Sequence, residues 1–148
     1  MSQNTKYAIL LAAGLVVFYL IGNKADSSSS TLSLFPGLLA LLPFPLVLYT
    51  MLRRLAREDK SFTVRQGIRT GEAVVRRAAV LFSLFNLVYS HFFFDGRSPY
   101  PIWFFAVAGI GTLIATWLVG VVFAALCAWV AARVREGGRG EATTEADE

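Results

Sequence analysis

The chain has a single cysteine and a single histidine in 148 residues. One thiol, Cys127, excludes an internal disulfide, and one Cys with one His cannot supply the ligands of a zinc site. No HExxH, GxSxG, Walker A or CxxC pattern occurs, so the common hydrolase, nucleotide-binding and redox signatures are missing and neither a cofactor nor a metal is implied. Charge is missing over long stretches as well. Residues 7–22, 32–52, 78–94 and 102–132 contain no Asp, Glu, Lys or Arg. These runs are dominated by Leu, Val, Ile, Phe and Ala and give the chain 55% hydrophobic residues and a mean hydropathy of +0.56. A water-soluble domain of this length cannot hide so much apolar surface, so lipid is the expected solvent. The expectation is an all-α integral membrane protein with one domain, residues 1–135, and no room for a separate folded enzyme.

The first run, 16 residues, reaches about 24 Å as helix, a little less than the roughly 30 Å hydrocarbon core. Lys6 ahead of an apolar stretch also resembles a signal peptide. For a cut after Ala25, however, Asn23 would stand at the −3 position, which needs a small residue, and an uncleaved first helix is expected. Residues 23–31 read as a polar loop. The second run, 32–52, holds Pro36, Pro43 and Pro45. Pro36 suits a first helical turn, whereas Pro43 and Pro45 fall inside the run and predict a kink or break near 42–46. Thr63 and Gln66 have capping-box spacing and place the start of the third helix ahead of its apolar run. Arg65, Arg69, Glu72 and Arg76 then share one face, opposite Val64, Ile68, Val75 and Ala79. This predicts an amphipathic extension leading into a span over 78–94, followed by a Gly/Pro turn at 95–101. The fourth run, 31 residues or about 46 Å, exceeds the bilayer core and must tilt or project. Residues 136–148, Gly-rich and then acidic, are expected to be a disordered tail.

The net charge of +4 is unevenly spread. Residues 53–77 carry eight basic residues against three acidic ones. With four spans, twelve of the fourteen basic residues fall on one side, leaving Lys24 and Arg97 opposite. The positive-inside rule then predicts an inner-membrane protein with four transmembrane helices and both termini cytoplasmic.

Several features could carry function. The fourth run has small residues at every fourth position, among them Ala108, Thr112, Thr116, Gly120 and Ala124, and Gly67 and Gly71 repeat the spacing in the basic segment. Such rows let helix backbones approach closely, either within the bundle or between copies. A straight helix drifts by about 40° per four-residue step, so only three or four members of the row can face one neighbour. Ser83, Asn86 and Ser90 put polar groups on one face of the third helix; Asn86 needs partners, and Thr112 or Thr116 would serve. His91 and Asp95 have i, i+4 spacing and could pair as a pH-responsive site, or lie at headgroup level without a role. Arg53, Arg54, Arg57, Arg76 and Arg77 are candidates for contact with anionic lipid headgroups, although topology alone accounts for their presence. No aromatic platform accompanies the charge, which argues against nucleic acid.

The layout resembles small four-span bacterial membrane families classed as domains of unknown function. The resemblance rests on residues 57–90, where Arg57-Glu58, Ser61-Phe62 and Gly71 lead into the third span. It implies four helices with both ends inside and adds no mechanism. Two functional readings follow. One is a non-catalytic membrane protein, an accessory or structural subunit acting through helix contacts with itself or a membrane partner. The other is a small oligomeric transporter or channel that uses the Pro-broken second helix and the polar face of the third. No span core holds an ionisable carboxylate or base for ion coupling.

Overall fold

The computed structural model describes residues 2–26, 41–59, 61–93 and 102–144; the side chains of 23–26, 90–93 and 136–144, and of Ile102 and Phe105, lie outside that description. The described residues form four helices: α1 (Gln3–Asp26), α2 (Pro43–Glu58), α3 (Val64–Phe93) and α4 (Ile102–Thr144).

The helix starts have local causes. Ser2 caps α1, its Oγ accepting from the Thr5 amide at 3.3 Å. Thr63 caps α3 in the same way, through the Gln66 amide at 3.3 Å, while the Gln66 side chain turns to Asp59 instead of closing the second half of the box. α2 begins at Pro43, so Pro43 and Pro45 occupy a first turn, where a missing N–H removes no intrahelical bond. Of the expected kink or break near 42–46, the described residues show a helix starting at Pro43; residues 27–40, with Pro36, lie outside the described residues. α3 is continuous from its charged half into its apolar half. α4 continues through Thr144, past the point where a disordered tail is expected. Extending an existing helix gains one bond per residue without a new nucleus, which offsets the poor propensity of Gly137, Gly138 and Gly140. Residues 145–148 lie outside the described residues.

The core draws on all four helices at helical spacing: Leu11 and Leu15, Leu48 and Leu52, Val74, Val75 and Ala78, Ala124 and Ala128. α3 lies against α4 and α1, and α2 lies against α4 and α1. The α3–α4 pair is antiparallel: where α3 advances from Gly67 to Gly71 to Val75, its opposite residues on α4 recede from Ala128 to Ala124 to Gly120.

Among the described residues two helices are long and apolar enough to cross a membrane, over Gln3–Gly22 and Ala106–Arg135, and only 28% and 22% of the most apolar 18-residue window in each is buried inside the molecule. A core helix of a soluble protein would hide most of such a window. Exposed apolar side chains recur every three or four residues along α4, including Trp103, Val107, Ile110, Ile114, Leu118, Val122, Leu126 and Val134. α2 has 16 residues, and the uncharged part of α3 within the described residues is 78–93, so neither has the length of the other two.

Candidate functional site

The α3–α4 seam is a close backbone approach. A Cβ added at Gly67 would lie 2.8 Å from that of Ala128, and one at Gly71 would lie 2.7 Å from that of Ala124. At Gly120 an added Cβ would collide with Val75 and would lie 2.8 Å from Phe44. Hydrogen in place of a side chain is what lets these backbones meet. The seam does not keep a strict four-residue step. Gly120, Ala124 and Ala128 are buried and Thr112 and Thr116 half-buried, but Ala108 is exposed, and Gly109 takes the seam position beside Leu87 and Ser83. At the other end Ala131 is buried while Ala132 is only partly so. A period of 3.6 rotates a strict every-fourth row off the contact, and a three-residue step at each end restores it.

Beyond Gly120 the seam becomes polar. Tyr19 of α1 donates its hydroxyl to Asn86 Oδ1 at 3.4 Å, Asn86 donates Nδ2–H to Thr112 Oγ1 at 3.2 Å, and Thr112 donates to the Ala108 carbonyl at 2.9 Å. Beside this chain the buried Ser83 hydroxyl donates to the Gly109 carbonyl at 2.7 Å. Three helices are thus linked through hydroxyl and carboxamide side chains. Tyr19 also sets its ring edge-on to Phe82 and Tyr89, with centroids 5.8 and 5.9 Å away. No side-chain polar atom buried among the described residues lacks a partner. The side chains of Ser90 and His91, and the whole of Asp95, lie outside the described residues, so the polar row is seen as far as Asn86.

The opposite end of the bundle gathers the basic residues. Arg77 of α3 donates to Thr5 Oγ1 of α1 at 3.2 Å, and Arg135 of α4 donates to the Phe62 carbonyl at 3.1 Å. The α2–α3 connection is organised by Asp59. Its Oδ1 accepts from the Ser61 hydroxyl at 2.6 Å and the Ser61 amide at 2.8 Å, and its Oδ2 accepts from Gln66 Nε2 at 3.0 Å. The Ser61 hydroxyl first, then Gln66 and the Ser61 amide, hold the Asp59 carboxyl below the usual carboxylate range, with the Arg135 charge adding to them. Phe62 is buried and lies against Gly67. Arg54 pairs with Glu58 at 2.7 Å one turn away; both side chains are 56% exposed, so the pair adds little stability. Arg53 lies 6.0 Å over the Tyr49 ring and Arg133 5.2 Å over that of Trp129, while Arg57 is exposed. Arg76 and Arg77 are exposed beside α1.

Asp59, Arg135 and Tyr19 do not stand out in the sequence as site residues. Asp-x-Ser ahead of a capping Thr is a recognisable turn signal for Asp59, whereas nothing local marks Arg135 or Tyr19, whose partners are 73 and 67 residues away. Among the described residues no group of His, Cys, Asp and Glu could hold a metal ion. Comparison with known proteins finds no matching family model, no matching curated protein and no matching solved structure.

Proposed function

We propose that this chain is a multi-pass inner-membrane protein with four transmembrane helices and both termini cytoplasmic. In this reading it is non-catalytic, of the kind its 57–90 segment resembles, and acts as an accessory or structural subunit through helix packing, either with a second copy or with a membrane partner. The observation that carries this reading is the Tyr19–Asn86–Thr112 chain, in which polar groups of three helices satisfy one another. The exposed apolar stripe of α4 supplies a lateral surface for lipid or a neighbouring helix. The basic residues at one end of the bundle agree with a cytoplasmic face there.

The test is cysteine accessibility. In a Cys127→Ala background, Asn86→Cys and Thr116→Cys should resist a membrane-impermeant maleimide while Ser28→Cys reacts. Rapid labelling at 86 and 116 would overturn the packing reading in favour of a water-filled transport path.

A further inference from the structure

α1 and α3 do not close fully against each other. Between them lies a groove of about 480 Å³, a volume within the range of small-ligand sites. Its walls are apolar, with Ile9 on α1 and Val80 and Leu81 on α3 each more than two-fifths exposed, and Ala8 buried alongside. Its mouth is different. Arg76 and Arg77 stand there with Thr5, at the end of the bundle that gathers the positive charge. Arg77 spends one donor on Thr5 Oγ1, which fixes its guanidinium at the mouth and leaves the other donors of its fork free in direction. Among the described residues neither arginine has a carboxylate partner, whereas Arg54 pairs with Glu58. Two unneutralised guanidinium groups over an oily channel are complementary to one class of molecule, an anion with hydrocarbon attached. The planar fork suits a phosphate oxygen pair, and the apolar walls suit an acyl chain.

We infer that the α1–α3 groove is a binding site for one anionic phospholipid, its phosphate held by Arg76 and Arg77 and one acyl chain lying along Ile9, Val80 and Leu81. A zwitterionic lipid would bring an ammonium group to the same arginines and bind less well. The site differs from general attraction of lipid to the basic segment in being stoichiometric and in needing the groove as well as the charge.

The experiment is native mass spectrometry of the delipidated full chain. It is titrated with phosphatidylglycerol or with phosphatidylcholine of the same acyl chains. One phosphatidylglycerol should be retained preferentially. Arg76→Gln and Arg77→Gln should each lower that preference roughly fivefold, the effect of one arginine at a lipid surface, while Arg53→Gln, away from the groove, should not. Val80→Trp, which fills the groove and keeps both arginines, should also reduce retention. Excess inorganic phosphate should fail to displace the lipid; displacement would mean that a free anion suffices and would overturn the site. Equal retention of the two lipids, or undiminished binding by the Arg76→Gln/Arg77→Gln and Val80→Trp variants, would overturn it too. The inference rests on the membrane reading, and carbonate extraction separates the two. A chain released to the supernatant defeats both, whereas a membrane-retained chain without lipid preference defeats only the groove.

Discussion

Gly71 and Gly120 are two of the places where an added Cβ would come within 3 Å of a neighbouring side chain, and Gly111 occupies one where nothing lies within 4 Å. The three glycines therefore separate packing from helix propensity. Gly71→Leu and Gly120→Leu should each destabilise the folded protein by about 1–3 kcal/mol or more through overpacking. Gly111→Ala should be neutral or stabilising by up to about 1 kcal/mol, because alanine is the better helix former. Reversible unfolding in mixed micelles followed by circular dichroism checks the order. Asn86→Ala removes a donor and an acceptor from the three-helix chain and should cost about 1–2 kcal/mol in the same assay; an unchanged midpoint would show that the chain is incidental. Asp59 gives a pH dependence with a definite sign. Its carboxyl is held below the usual range, so its contribution is complete above the unfolded-state value of about 3.9 and is lost as pH falls through the lower folded-state value. The Ser61 and Gln66 amide resonances should stay put from pH 7 to about 5 and move only below the ordinary carboxylate range. Asp59→Asn should abolish that movement.

Among the elements, α4 sets the clearest constraint. Forty-three helical residues span about 64 Å, twice the hydrocarbon thickness, so on the proposed membrane reading the helix must tilt or leave the bilayer. An arginine placed on its exposed stripe should be costly at mid-bilayer depth and tolerated beyond it. Ile114→Arg is expected to lower the membrane-inserted fraction, at about 2.5–3.5 kcal/mol for a central arginine, and Val134→Arg to leave it unchanged. Quantified membrane fractionation reads the difference. The elements also show which features are legible in sequence. The start of α3 is, because a capping threonine acts on an amide three residues on. Pro43 and Pro45 mark a point of change near 42–46, but an apolar run gives no sign of which residue begins the helix. The small residues of α4 declare a contact face, but not the three-residue steps that bring Gly109 and Ala131 onto it, which depend on what α3 presents. The Arg135–Phe62 and Tyr19–Asn86 bonds are invisible because tertiary contacts over such separations leave no local pattern.

For the molecule as a whole, the start of α1, the end of α2, the start of α3 and the distal part of α4 are tied at one end by Thr5–Arg77, Asp59–Gln66 and Phe62–Arg135. That end carries the arginines, so charge and topology should be separable by experiment. Replacing Arg53, Arg54 and Arg57 by Glu should disturb orientation and lower the cytoplasmic signal of a C-terminal fluorescent reporter. A reporter that stays fully cytoplasmic would mean that those three residues do not set the orientation.

The unbroken course of α3 has a mechanical corollary. Arg69 and Asn86 stand about 25 Å apart on one stiff rod with no hinge between them. Whatever takes hold of the charged half from outside therefore turns the amide too, and a twist applied at the arginines is felt at Tyr19 and Thr112 without any relay of rearranging side chains.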